Sequence, residues 1–258
     1  MATFLFDEII FGPIWSRRLG ESLGINLLPA GKKVCNFNCV YCECGITPAD
    51  SQQKGYPATD EVLELLEQKL LHIKDNSGYL NSITFAGNGE PTLHPEFNTI
   101  IDKVIELRNR IFPGVTIAVL SNATLIPDNG VFAALLKVDL NILKLDSAIE
   151  ETLRRINCPR GNFKLDEILS GMRNFNGKLI IQTLFLRGIV NGNQIDNTSS
   201  DEVNAWINAL KYIHPEMVMI YSLARDTAMN NLEKVSEEEL NRIASLVNCL
   251  GIQTQVTP

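Results

Sequence analysis

Residues 35–42 read CNFNCVYC, and a further cysteine, Cys44, follows two positions later. Thiolates are the usual ligands of iron–sulfur clusters, and a short loop carrying Cys35, Cys39 and Cys42 can aim three sulfurs at one cubane. Three protein ligands leave one iron with an open position, where a cofactor or substrate can coordinate. The competing reading is a zinc knuckle that recruits Cys44 as a fourth thiolate, although Cys-x-Cys is cramped for that purpose. Spacing alone leaves both open.

Outward from this loop, short apolar runs rich in β-branched residues alternate with amphipathic stretches at helical spacing. The strand candidates are GINLLP (24–29), SITFAG (82–87), VTIAVLSN (115–122), NILKLD (141–146), LIIQTLFL (179–186) and MVMIYSL (217–223), with IQTQV (252–256) as a closing strand. Each is short and uninterrupted, as buried parallel strands tend to be. Helices are expected from Thr59, where Val62, Leu66 and Leu70 form a stripe, and from Pro95, where Phe97, Ile100, Ile101 and Val104 recur on one face. A third is expected after Val235, with Ser236 and Glu239 as a capping box and Val235 stapled to Leu240. The stretch RGIVNGNQIDNTSSDE (187–202) reads as a long polar connection. About six βα units without a linker or repeat indicate one α/β domain spanning residues 1–258, either an open doubly wound sheet or a full or partial β/α barrel.

Composition narrows the chemistry. The chain has 258 residues, 23 basic and 30 acidic side chains and a formal net charge of −7, which does not favour a general phosphate-tracking surface for RNA. The opening MATFLFDEIIFGPIW has no basic leader, and Asp7 and Glu8 interrupt its apolar run, so neither a signal peptide nor a membrane span is expected. The expected address is the cytoplasm, where six cysteines are not a disulfide framework. Cys158 and Cys249 are expected to be buried inert thiols.

The C-x-x-x-C-x-x-C spacing with aromatic Tyr41 before the last cysteine resembles the signature of the radical S-adenosylmethionine superfamily. That resemblance implies a partial (β/α)6 TIM-type barrel over residues 23–258, preceded by an extension over residues 1–22. It also implies that Cys35, Cys39 and Cys42 hold a [4Fe-4S] cluster whose unique iron is chelated by S-adenosylmethionine. FAGNGEPTL (85–93) is similar to the family's glycine-rich motif, so Gly87, Asn88, Gly89 and Glu90 are implied to hold the cofactor's amino group. Ser121, Asn122, Lys144, Asp146 and Gln182 end successive strand candidates and suit further cofactor contacts. For Lys144 and Asp146 a mutual ion pair without ligand is the alternative.

The implied reaction is one-electron cleavage of S-adenosylmethionine to methionine and a 5′-deoxyadenosyl radical, which abstracts hydrogen from a substrate. An external donor such as flavodoxin or ferredoxin supplies the electron. FGPIWSRRLGESLGINLLP (11–29), GNGEPTL (87–93) and DSAIEETLRRINCPRG (146–161) further resemble the small wyosine-synthetase-like radical SAM proteins. Residues 1–34 lack the extra cysteines of true wyosine synthases. Substrate classes left open are a modified nucleotide or RNA base, a peptide, a small metabolite and a glycyl-radical enzyme activated in trans; a non-catalytic iron–sulfur or zinc protein is the reading from another class. Arg17 and Arg18 can receive a phosphate or carboxylate or be merely solvated. Cys44 is either a redox participant or an incidental thiol. His94, His72 and His214 read as structural.

Overall fold

The computed structural model describes residues 4–48, 55–224, 227 and 229–258. Its frame is an eight-stranded sheet. In chain order the first elements are β1 (Ile10–Ser16), β2 (Gly20–Ile25), α1 (Thr59–Asp75), β3 (Ser82–Phe85), α2 (Phe97–Ile111), β4 (Thr116–Ser121), α3 (Asn129–Leu135) and β5 (Leu140–Lys144). Next come α4 (Glu150–Asn157), α5 (Leu165–Arg173), β6 (Ile180–Leu184), β7 (Leu186–Val190), β8 (Asn193–Asp196) and α6 (Ser200–Ile213). The chain closes with β9 (Met217–Tyr221), β10 (Leu232–Lys234), α7 (Glu237–Asn248) and β11 (Gln253–Thr257). Strands β2, β3, β4, β5, β6, β9 and β11 run parallel in that order, and β1 adds an antiparallel edge on β2.

Side-chain alternation along the strands separates two cores. Ile117, Val119, Leu143, Ile181, Val218 and Ile220 pack with the helices, whereas Ala118, Ile142, Ile180 and Met219 form a second cluster on the opposite face. Burying both faces explains why these strands read as continuous apolar runs. The sheet curls so that the β1–β2 turn reaches the far strand: Arg17 Nη1 donates to Pro258 O at 2.7 Å, and Gln255 Nε2 donates to Arg18 O at 3.4 Å. The result is the partial barrel of the sequence expectation, with its strand C-termini gathered at one mouth.

Local departures have physical reasons. Helix α2 begins two residues after Pro95, because Glu90 instead caps a 3-10 turn over Pro91–Leu93 and His94 Nδ1 accepts Glu96 N–H at 3.1 Å. His94 Nε2 also lies 3.0 Å from Pro57 O, so this histidine is structural. In α7, Ser236 Oγ accepts Glu239 N–H at 3.2 Å and Val235 and Leu240 are fully buried, as expected. The reciprocal half of the box is replaced, since the Glu239 carboxylate pairs with Arg187.

The expected polar connection at 187–202 is instead the β7–β8 hairpin, extended by β10 into a three-stranded sheet. Asn191 and Gly192 both have positive φ, the pattern of a type I′ turn, and Asn-Gly is its commonest sequence. Cys249 is exposed and Cys158 half-buried, against the expectation of two buried thiols. Each caps the C-terminus of a helix, α7 and α4 respectively, and Cys158 packs partly against the cluster of Val40, Ile156 and Leu184.

Candidate functional site

The cysteine loop follows β2 and is bound through its backbone to the glycine-rich turn on one side and to the C-terminal end of α4 and the residues after it on the other. On one side Val34 N–H donates to Asn88 O at 2.8 Å and Glu90 N–H donates to Val34 O at 3.1 Å. On the other, Val40 N–H donates to Ile156 O at 2.9 Å, Asn38 N–H to Asn157 O at 3.0 Å and Arg160 N–H to Asn36 O at 2.8 Å. The second seam needs the chain to turn sharply out of α4, which Cys158 does in the left-handed conformation at φ 43°. The first seam needs Gly89, at φ 141°, because a Cβ there would collide with the Val34 carbonyl oxygen.

Within this frame, Cys35, Cys39 and Cys42 line a cavity of about 310 Å³ together with Tyr41, Cys44, Gly87, Gly89, Glu90, Ser121, Asn122, Lys144 and Gln182. Nearly all the predicted site residues therefore converge. Two do not face the cavity. Asn88 is fully buried, and its amide clamps the N-terminal segment: Nδ2 donates to Phe6 O at 2.8 Å and Pro29 O at 3.0 Å, and Oδ1 accepts Phe6 N–H at 2.8 Å. Asp146 stands behind the wall, accepting from Tyr41 Oη, from Asn157 Nδ2 at 2.6 Å and from Leu184 N–H at 2.9 Å. It pairs with Lys144 at 3.5 Å, so the mutual ion pair forms while Lys144 still lines the cavity.

Glu90 is 2% exposed and is the hub of the opposite wall. Its Oε1 accepts from Thr92 N–H at 3.2 Å, Thr92 Oγ1 at 2.6 Å and Ser121 Oγ at 2.8 Å; its Oε2 accepts from Asn122 N–H at 2.7 Å. Burial raises its pKa, against the opposing effect of these donors. Oε1 is saturated, and Oε2 retains acceptor capacity for a further donor.

The sulfurs have donors of their own. Phe37 N–H lies 3.3 Å from Cys35 Sγ, Asn122 Nδ2 3.8 Å from the same sulfur, and Asn157 Nδ2 3.3 Å from Cys39 Sγ. Lys33, 3% exposed, donates to Gly45 O at 2.7 Å, and its pKa is raised because the charges of Cys42, Cys35 and Cys39 outweigh its desolvation. Cys42 falls to about 5, chiefly through a hydrogen bond from Cys44 and the Lys33 charge, whereas burial lifts Cys35 to about 12 and Cys39 to about 11. Cys44 is pushed up by the same hydrogen bond to Cys42.

Lys33 and Asn157 were not singled out by the sequence reading. The signals present were a lysine two residues before the first cysteine and an asparagine directly before Cys158-Pro159. Among the described residues no group of three or more His, Cys, Asp or Glu side chains is arranged to hold a single metal ion. Three soft sulfurs around a cavity, each near an N–H or ammonium donor, fit a thiolate-ligated cluster, whose charge such hydrogen bonds offset. No described helix is long and apolar enough to cross a membrane.

Comparison with known proteins agrees with this geometry. The profile of the Radical SAM superfamily matches residues 32–193. The chain is 32% identical to a UPF0026 protein of Synechocystis over 82% of its own length and 74% of the relative's. It is 28% identical to a GTPase Obg of Brachyspira hyodysenteriae over 90% of its length, but spans only 32% of that protein. A solved radical SAM methyltransferase from Sphaerobacter thermophilus shares the fold at a TM-score of 0.66 and 16% identity, over 92% of this chain and 65% of that one. The family profile spans the cysteine loop and the strand ends that converge on it, and the chain accordingly belongs to the radical SAM superfamily, whose enzymes act through a [4Fe-4S] cluster and S-adenosylmethionine.

Proposed function

We propose that Cys35, Cys39 and Cys42 ligate the [4Fe-4S] cluster and that Gly87, Gly89, Glu90, Ser121, Asn122, Lys144, Gln182 and Tyr41 surround S-adenosylmethionine beside it. The observation that carries this reading is the convergence of the three sulfurs and the Glu90 carboxylate on one cavity. Glu90 Oε2 receives the cofactor's ammonium, since Oε1 is filled by Thr92 and Ser121. Lys144, held by Asp146 and by Tyr221 Oη at 3.0 Å, presents a cation to the cofactor's carboxylate. Asn88 and Asp146 serve as supports, one anchoring the glycine-rich turn and the other fixing Tyr41 and Lys144.

When bound, the cluster and S-adenosylmethionine supply hydrogen-abstracting radical chemistry, and the protein supplies positioning and exclusion of water. The electron comes from an external donor of the flavodoxin or ferredoxin kind. Free cysteines throughout the described residues suit a reducing compartment, the cytoplasm. The likeness of residues 11–29 and 146–161 to the wyosine-synthetase-like group supports a nucleotide-derived substrate, and the net charge of −7 favours a small one over RNA.

Anaerobic reconstitution with iron and sulfide, followed by dithionite and S-adenosylmethionine, tests the reading. Wild-type protein releases 5′-deoxyadenosine, and Cys35→Ala, Cys39→Ala and Cys42→Ala lose both the cluster absorbance and the product. Cluster-loaded wild type that binds S-adenosylmethionine yet yields no 5′-deoxyadenosine under strong reductant refutes it.

A further inference from the structure

Arg18 has no task in the site described so far. It lies in the turn between β1 and β2, half-buried, with Cζ 4.4 Å from the centroid of the Tyr221 ring. Stacking occupies the face of the guanidinium and leaves its edge donors available for a planar acceptor. Nη1 is buried and has no hydrogen-bond partner among the described residues. A desolvated donor without an acceptor is unfavourable, and a ligand oxygen at that point would relieve it.

The surroundings favour an anion from outside. Tyr221 is a fixed platform because Lys144 Nζ donates to its hydroxyl at 3.0 Å, which places a second cation close by. Asp146 and Glu90 already accept from the protein groups named above, and Glu43 on the same wall is itself engaged. Arg17, Arg18, Leu120 and Gln182 line the cysteine cavity and also a second cavity of about 280 Å³. The second cavity has no cysteine among its walls and includes Phe11, Trp15, Ile142 and Met219. Arg18 thus stands, with Glu43, where a chamber of mixed polar and apolar walls meets the reactive one.

We infer that Arg18 binds an oxyanion of the substrate, a carboxylate or a phosphate group, at the junction of the two cavities. The substrate is then a small molecule with an anionic head held by charge-assisted hydrogen bonds and a body that reaches toward the cysteine cavity. This assignment rests on the radical SAM reading for the word substrate, but the anion site is measurable without turnover.

Anaerobically reconstituted protein is titrated calorimetrically with sodium phosphate and, separately, with sodium acetate. Saturable binding of phosphate alone identifies a phosphate head, of acetate alone a carboxylate, and of both an oxyanion site without discrimination. In each case Arg18→Met lowers the affinity at least tenfold and Arg18→Lys restores part of it. No saturable binding of either ion to wild type, or equal affinity in wild type and Arg18→Met, overturns the inference. So does a loss of S-adenosylmethionine affinity in Arg18→Met that matches the loss of anion affinity, since Arg18 would then belong to the cofactor. Iron and sulfide content of the same samples separates the two claims. Anion binding through Arg18 in protein that never takes up a cluster sinks the radical SAM reading alone, and cluster-loaded protein that binds neither ion sinks the anion site alone.

Discussion

Replacing Glu90 by glutamine keeps the shape of the side chain but sets a donor against a donor. Oε1 accepts Thr92 N–H and two hydroxyls, and Oε2 accepts Asn122 N–H. The hydroxyls can turn, but the two backbone N–H groups cannot. Whichever way the new amide faces, its NH2 meets one of them, and one buried backbone donor is left without an acceptor. Such a loss costs about 1–3 kcal/mol. For a chain of this size each kcal/mol moves Tm by roughly 2–4 °C, so a fall of about 2–12 °C is expected in thermal unfolding of the metal-free protein. Glu90→Ala orphans both N–H groups and falls further, by about 2–6 kcal/mol at the same unit cost.

The pH dependence gives a second, independent reading of the same substitution. Burial raises the folded pKa of Glu90 above the ordinary 4.5. The folded chain then holds that proton more tightly than the unfolded chain. Its contribution to stability is full below pH 4.5 and is lost as pH rises through the folded value. Glutamine has no such term, so the gap between wild type and Glu90→Gln narrows as pH rises across that window, by at most about 1.4 kcal/mol per pH unit. The cofactor supplies a third reading. Losing one charge-assisted hydrogen bond, about 1.5–3 kcal/mol, weakens S-adenosylmethionine about 10- to 150-fold. A Tm unchanged within about 1 °C refutes the donor-conflict argument, and a gap that widens with pH refutes the raised pKa. Unchanged cofactor affinity alongside a lowered Tm would confine Glu90 to its capping role.

Three further substitutions probe the frame. In the metal-free protein Cys44 and the Lys33 charge hold the Cys42 thiol below the ordinary range while burial raises Cys35 and Cys39, so iodoacetamide labels Cys42 before those two at neutral pH; Lys33→Met moves its labelling midpoint upward, and an unmoved midpoint excludes Lys33 as a partner. Gly89→Ala forces a Cβ onto the Val34 carbonyl in a backbone region nearly reserved for glycine, costing about 1–3 kcal/mol in strain before any hydrogen bond is lost; reconstituted protein should bind less iron per chain, and full loading with wild-type Tm would contradict the seam. Asn88→Ala strips three hydrogen bonds from the N-terminal segment and Pro29, about 1–3 kcal/mol for each backbone group left buried without a partner; limited proteolysis before residue 10 should quicken, and an unchanged cleavage rate would argue against the clamp.

What the sequence made legible was whatever depends on side-chain identity at fixed spacing. Cys35, Cys39 and Cys42 mark a candidate cluster loop because sulfur chemistry selects them, and the runs at 115–122 and 179–186 identify buried strands because both faces need apolar side chains. Less legible was whatever depends on backbone groups that every residue carries. The two seams that hold the cysteine loop, Val34 with Asn88 and Glu90, and residues 36–40 with 156–160, are made of N–H and C=O groups with no sequence signature. Their only traces are the residues that permit them: Gly89, which leaves room for Val34, and the Asn157-Cys158-Pro159 turn, where the chain leaves α4. The Asn191-Gly192 turn does carry a sequence signal, although the polar composition of residues 187–202 masks the strands on either side of it.

The same distinction explains the three-cysteine count. A loop with four protein thiolates is held largely by its metal, whereas a loop that must leave one position open needs its shape from elsewhere. Here the backbone seams supply that shape from both sides, Lys33 and the amides of Asn122 and Asn157 supply the counter-charge and donors, and Glu90 joins one seam to the wall that faces the open position. Cys44 Sγ donates to Gly87 O at 3.5 Å, which ties the cysteine loop to the glycine-rich turn. On the proposed assignment of Cys35, Cys39 and Cys42 as the ligands, Cys44 belongs to the scaffold of the loop rather than to the ligand set.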